Sequence, residues 1–227
     1  MIFVSFFTVV HHFVSLYLLL VLISISHIMI DIDLMLACGA NYKKVRKGET
    51  IFTEGTQASF YHQLVEGRVR WVNVDDNGKE FIQHLIEPGE CFGEMPMFDN
   101  EPYAATSIAD EDSLVLRLQK NTFLHILKDH PEINFEFSKL LSQRLRFKFM
   151  LVNELATCSP AHRIITLFNY LKQNKMNICP KCNKILLTRQ QLANMTGLRV
   201  ETVIRTIKYM EEQKLVTIQK GKVYFSK

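Results

Sequence analysis

The sequence predicts an α+β chain: a β-rich first part, then one long helix, then a small helical part. Three observations carry this. The middle of the chain holds short runs rich in Val, Ile, Phe, Tyr and Trp, broken by turn signals at roughly 8–12-residue spacing. From Pro131 the period changes, and apolar residues recur at three- and four-residue steps with no glycine or proline up to Ser159. Beyond Ser159 the pattern reads as helices, a turn and a closing hairpin.

The strand-like runs are "TIFTEG", "YHQLVEG", "RVRWVNV" and "EFIQHLI", punctuated by Gly48, Gly55, Gly67, Gly78, Gly89 and Gly93. Such a series closes as a β-sandwich or barrel. "DNG" at Asp76 to Gly78 is a hairpin turn, because Asn and Gly tolerate positive φ. "SLVLRL", Ser113 to Leu118, is the expected last strand. In the long helix, Ile133, Phe137, Leu140, Leu141, Leu145, Phe149, Val152 and Leu155 form one wide apolar stripe. That stripe needs cover: a second copy of the helix, the chain's own β part, or both. At "TCSPAHR" the helix breaks, with Ser159 as a natural N-cap and Pro160 at the first position of the next helix, "RIITLFNYLKQ".

Charge separates the two ends. The 227-residue chain has a net charge of +4. Ser159 to Lys227 carries 13 Lys and Arg against 3 Asp and Glu, a balance of +10, whereas residues 1–158 carry 14 against 20, a balance of −6. The basic end is therefore a polyanion-binding surface in expectation. Within it, "LTRQQLANMTGLRVETVIRTIKYMEEQKLVTIQKGKVYF" reads as helix, turn, helix and wing. Thr188 caps the first helix. Ala193 lets the helices cross closely, Gly197 makes the turn, and Val203 enters the shared core. Lys220-Gly221 lies at or near the wing tip. Val203, Ile207 and Met210 face inward, which leaves Glu201, Arg205 and Lys208 on another face. In such a motif the outward face of the second helix enters a DNA major groove. There a glutamate accepts from a cytosine amino group and an arginine bonds guanine O6 and N7. No Ser/His/Asp set, P-loop or Gly-rich nucleotide motif points to an enzyme.

The cysteines are Cys38, Cys91, Cys158, Cys179 and Cys182. "CPKC" at 179–182 offers two sulfurs between the helix after Ser159 and the helix-turn-helix. Zinc or a cluster needs about four ligands, so Cys158, His162 or a second subunit would have to supply the rest. A redox dithiol is the other reading. Haem is a third option, although no spacing singles out one of the eight histidines. Residues 1–30 hold no Asp, Glu, Lys or Arg, and "FVSLYLLLVLISI" with its flanks is long enough to span a bilayer. It lacks the basic start and cleavage site of a secretory signal. It is a membrane anchor, a buried helix, or translated upstream sequence with the true start at Met29 or Met35.

From about Leu36 to Phe225 the chain resembles the CRP/FNR family of bacterial transcription regulators. The resemblance rests on "YKKVRKGETIFTEG", "EGRVRWV", "GECFGEMPMF", the helix ending "QRLRFKFMLVNELA", and above all "LTRQQLANMTGLRVETVIRTIKYMEEQKLV". It implies a cyclic-nucleotide-binding-type β-roll of jelly-roll kind, a dimerisation helix and a winged helix-turn-helix. It also implies a cytoplasmic homodimer that binds a pseudo-palindromic double-stranded DNA site and works with RNA polymerase. The expected divisions are an apolar extension at 1–34, a sensor β-roll at 35–128, a dimerisation helix at 129–158 and the DNA-binding part at 159–227. The family does not normally carry a membrane segment, which favours upstream translation for residues 1–28. The alternative is a membrane-attached ligand- or redox-sensing module, if residues 1–28 are a genuine span.

The resemblance also implies residue roles. "VETVIR" is similar to the recognition helix of the FNR branch, and Glu201 and Arg205 match the positions that read a shared G·C pair. Val200 stands where the cyclic-AMP branch has an arginine, and Ile204 where the FNR branch has a serine. Thr188, Arg189, Gln190, Arg199, Thr202, Lys208 and Lys220 fall at phosphate or flanking positions. Gly93 and Glu94 match the effector cup. The Arg-Ser pair that holds a cyclic phosphate is replaced by Tyr103 and Ala104, and no Lys or Arg lies between Lys79 and Arg117. Lys148 and Phe149 take the adenine-contacting positions on the long helix. These departures argue against cyclic AMP as effector. The cysteine pattern of an FNR iron–sulfur cluster is absent, which leaves zinc, a redox dithiol at Cys179 and Cys182, or haem.

Overall fold

The structure, a computed structural model, describes residues 29–157 and 159–225, and the side chains of 155–157 are not described. The readings of residues 1–28, and the ligand role considered for Cys158, lie outside the described residues. No helix among the described residues is long and apolar enough to cross a membrane.

The strands form as the alternation and glycine breaks require. They are β1 (Asn41–Val45), β2 (Thr50–Phe52), β3 (Phe60–Glu66), β4 (Val69–Val74), β5 (Glu80–Ile86), β6 (Cys91–Phe92), β7 (Thr106–Ala109) and β8 (Ser113–Gln119). They make two four-stranded sheets, in the orders β1-β8-β3-β6 and β2-β7-β4-β5. The pairing of β8 with β3 sets Leu118 opposite Tyr61 and Val115 opposite Leu64, all buried. The "DNG" turn forms between β4 and β5. Asp75 accepts from the N–H groups of Asn77 and Lys79 at 3.0 and 2.8 Å, a local Asx bond that fixes the turn.

Helix α1 (Ile32–Ala37) is capped by Asp31, whose carboxylate accepts from the Leu34 N–H at 3.0 Å. Met35 is fully buried. Ile30 is tied to β3: its N–H donates to Gln63 Oε1 at 3.2 Å, and Gln63 Nε2 donates to its carbonyl at 2.9 Å. The boundary expected at residue 34 thus falls inside an element that belongs with the β-roll. Helices α2 (Met95–Asp99) and α3 (Lys120–Asp129) follow β6 and β8.

Helix α4 (Pro131–Thr157) is the long helix. Its first turns belong to the β-roll, because Phe137 meets Phe123 edge-on at 5.3 Å while Phe123 stacks on Tyr61 at 4.6 Å. Such aromatic pairs add about 0.5–1.5 kcal/mol each beyond the area they bury.

The chain divides into two compact units. One holds 29–70 and 85–137, and the other holds 71–84 and 138–225. The hairpin at 71–84 therefore groups with the long helix, which a boundary at 128/129 does not anticipate. Arg144 lies over the Trp71 ring at 5.2 Å. Lys148 Nζ donates to the Gln83 carbonyl at 3.0 Å and to Gln83 Oε1, and Gln83 Nε2 donates to Asn73 Oδ1 at 2.7 Å.

The predicted stripe on α4 splits into two faces. Phe137 of the stripe is buried, and so are Phe147 and Leu151, which the expected stripe did not include. Leu145, Phe149 and Val152, at i, i+4 and i+7, are 56%, 69% and 62% exposed. A 3.6-residue period cannot bring all the expected stripe residues onto one line, so two apolar faces coexist on one helix.

The basic part is built from α5 (Pro160–Gln173), α6 (Arg189–Thr196), α7 (Val200–Glu212) and the wing strands β9 (Val216–Gln219) and β10 (Lys222–Phe225). Ser159 caps α5, accepting from the His162 N–H at 3.4 Å. Ile164, Leu167, Phe168 and Leu171 of α5 are buried, and Phe168 meets Phe225 of the wing at 5.5 Å.

Candidate nucleic-acid interface and effector cup

Thr188 opens α6 through a capping box. Its Oγ1 accepts from the Gln191 N–H at 3.1 Å, while Gln191 Oε1 accepts from the Thr188 N–H at 3.0 Å. Replacing such a cap by alanine costs about 1 kcal/mol. Gln191 is missing from the sequence-based reading, although the Thr-x-x-Gln spacing signals it. Gly197 ends α6 at φ 67, in the left-handed region where a side chain is strained. Ala193 and Val203 are buried, so the turn spacing delivers the close helix crossing it implies.

On α7 the apolar stripe of Val203, Ile207 and Met210 is buried, and Glu201, Arg205 and Lys208 are exposed. Glu201 and Arg205 therefore lie one turn apart on the outward face. Ile204 and Tyr209 are also exposed, at 41% and 53%. Arg199 is exposed at the N-cap of α7, and Thr202 is half-buried. Arg189 is half-buried at the start of α6, and exposed Gln190 donates from Nε2 to Asn194 Oδ1 at 2.8 Å. Lys220 and Gly221 form the wing turn with φ 47 and 75, the pair of positive angles a two-residue hairpin needs. The outward face and the wing tip thus expose carboxylate, guanidinium and ammonium groups.

The effector-cup residues sit in the β-roll unit, except Lys148. Gly93 has φ 70, and a Cβ there would come within 2.8 Å of the Phe52 ring and 3.0 Å of the Tyr103 ring. Glycine is required here because those two rings occupy the space. Phe52 and Tyr103 stack with centroids 3.8 Å apart and planes at 9°. The Tyr103 hydroxyl donates to the Phe60 carbonyl at 3.4 Å, and burial pushes the phenol up to about 12. His62 completes the cluster, 5.5 Å from Phe52 and 5.3 Å from Phe92. Burial first, then the charges of Arg117 and Lys43, lower its imidazole to about 3, so it is neutral at pH 7. Glu94 is fully buried at the start of α2. Lys120 approaches α2, but its Nζ donates to the Pro96 carbonyl at 2.6 Å and to Asn100 Oδ1 at 2.8 Å. At the position of Tyr103 the cup therefore presents a phenol stacked on the Phe52 ring. Phe52 and His62 are absent from the sequence-based reading. No local pattern marks them, since β2 and β3 meet Tyr103 only after folding.

Lys148 lies in the other unit and spends its ammonium on Gln83, as described above. Burial and the nearby Arg144 lower it to about 8.

"CPKC" forms a tight knuckle. The Cys179 N–H donates to the Lys184 carbonyl and the Asn183 N–H to the Cys179 carbonyl, both at 2.8 Å. Both thiols are free. His162, considered as a third ligand, pairs with Glu154 instead, at 3.5 Å. Among the described residues, no three His, Cys, Asp or Glu side chains gather to hold a metal ion.

A β-roll followed by a long helix and a winged helix-turn-helix is the build of a sensor-coupled DNA-binding regulator. The family model for a cyclic nucleotide-binding domain matches residues 42–130, and that for a Crp-like helix-turn-helix domain matches 162–225. The cAMP-activated global transcriptional regulator CRP of Haemophilus influenzae is 30% identical over 169 residues, covering 74% of this chain and 75% of that protein. The solved structure of the c-di-GMP responsive global regulator CLP of Xanthomonas campestris superposes with a TM-score of 0.69 at 18% identity, covering 84% of this chain and 96% of that one. FixK2 of Bradyrhizobium japonicum also gives 0.69 at 18% identity, over 83% and 93%. At that identity these two structures establish the fold. The chain belongs to the CRP/FNR family of transcription regulators.

Proposed function

We propose that the chain acts as a cytoplasmic homodimer that reads a pseudo-palindromic DNA site and responds to a signal other than cyclic AMP. The observation that carries the DNA reading is the outward pair Glu201 and Arg205 on α7, in a part of the chain with a charge balance of +10. Glu201 and Arg205 read a G·C pair in each half-site, and the half-sites lie about one helical turn apart. Thr188, Arg189, Gln190, Arg199, Thr202, Lys208 and Lys220 serve phosphates and flanks. RNA polymerase is the partner once DNA is bound.

The effector reading rests on the cup. The Haemophilus relative is, by its name, activated by cyclic AMP. This chain places Tyr103 and Ala104 where the phosphate-holding Arg-Ser pair would be, and Tyr103 stacks on Phe52. Duplexes selected from a random pool by the full chain should converge on a two-fold sequence with a G·C pair in each half. A pool that gains no such sequence overturns the DNA reading.

A further inference from the structure

The thiols of the knuckle are not absorbed by DNA reading or by the β-roll. Cys182 is exposed and Cys179 half-buried, so solutes reach both. The knuckle is closed by an antiparallel bridge between Ile178 and Ile185. Pro180 has no N–H, and the next two N–H groups, of Lys181 and Cys182, converge on Cys179. The Cys182 side chain also stands within hydrogen-bond reach of the Cys179 sulfur. This side-chain contact, then the two N–H groups and the charge of Lys184, hold Cys179 below the usual thiol range. Cys179 is thus held toward its thiolate, with a second sulfur beside it that can resolve an oxidised Cys179. Two sulfurs are half of a zinc set and a full set for a disulfide.

The knuckle is also joined to the wing. The Ile185 N–H donates to the Val223 carbonyl at 2.9 Å, the Phe225 N–H donates to the Asn183 carbonyl at 3.0 Å, and Lys184 bridges Tyr224. A change in the turn at 179–184 therefore reaches β10 through two backbone hydrogen bonds. The same segment runs on through Leu187, buried, to the Thr188 cap of α6.

We propose that Cys179 and Cys182 form a reversible redox site, oxidised to a disulfide by hydroperoxides, that alters the strand edge shared by the knuckle and the wing. The Cys179 thiolate attacks the peroxide O–O bond, giving a sulfenic acid and releasing the other oxygen as an alcohol or water. The Cys182 sulfur then displaces that hydroxyl, which leaves as water with the thiol proton. Two thiols and one hydroperoxide thus become one disulfide, one water and one alcohol (a second water for hydrogen peroxide itself). Two electrons pass from sulfur to the peroxide.

The test uses the reduced full chain and hydrogen peroxide, with mass spectrometry of the digest. The expected result is a loss of two hydrogen masses on the peptide spanning 179 and 182. In Cys182→Ser, dimedone should capture Cys179 at least about tenfold faster than Cys38. Cys179→Ser should give no capture at Cys182. Amide exchange at Ile185 and Phe225 should shift by about tenfold between the reduced and oxidised chains. Reaction at Cys179 no faster than at Cys38, or no internal disulfide, overturns the site. A disulfide that forms with unchanged exchange at both amides overturns the link to the wing. None of these three readouts involves DNA, so a failure here is distinguishable from a failure of the DNA reading.

Discussion

His62 is a titratable side chain walled in by Phe52, Phe60 and Phe92, and its folded-state value of about 3 lies below its ordinary 6.5. Between those values the unfolded chain binds a proton that the folded chain does not. Its contribution is fully present above about pH 6.5 and is lost as pH falls toward 3, by about 1.4 kcal/mol per unit at the steepest. Urea unfolding of the parent and of His62→Phe, at pH 7 and pH 5, should show the parent losing more stability than the variant. Equal losses would mean that His62 is solvated. The burial of His62 and the Phe52–Tyr103 stack were not legible in the sequence, because each depends on strands far apart in the chain. The outward position of Glu201 and Arg205 was legible, because a 3.6-residue period places both off the Val203, Ile207 and Met210 stripe.

Among the elements, α4 shows how far periodicity reaches. The spacing from Ile133 to Leu155 marked one long amphipathic helix, and the helix is there. What it could not mark is the division of labour between faces. Phe137 enters the aromatic core of the β-roll, while Leu145, Phe149 and Val152 remain exposed. A second copy of the same stripe is the cover that a dimer provides. Leu145→Glu with Val152→Glu puts charge into that seam, which is costly unless the helices separate. Sedimentation should show the double variant as a monomer, with its circular dichroism kept because both positions are exposed. A variant that stays dimeric would place the dimer contact elsewhere. The pairing of the 71–84 hairpin with α4, through Arg144 over Trp71 and Lys148 on Gln83, is likewise a tertiary fact that strand alternation does not encode.

The whole molecule joins a β-roll whose cup holds the stacked rings of Phe52 and Tyr103 to a basic winged helix-turn-helix. If Tyr103 on Phe52 closes the cup to an anionic nucleotide, calorimetric titration of the full chain with cyclic AMP should give no micromolar binding. Micromolar or tighter binding would show that the stack opens. The layout of strands, long helix and winged motif was legible in the sequence, since each part has its own period and turn chemistry. The effector was not, since a ligand is chosen by side chains brought together only in three dimensions. The claim at the centre is that α7 reads sequence with Glu201 and Arg205. Its most direct measurement is the affinity of the parent and of Arg205→Ala for the selected duplex, for that duplex with the G·C pair exchanged, and for an unrelated duplex. The parent should lose about 1–3 kcal/mol on exchange of the pair, and the variant should bind the first two duplexes alike while keeping its affinity for the third. Equal weakening by Arg205→Ala on all three duplexes would contradict the account, because it would make Arg205 a phosphate contact with no part in reading the base pair.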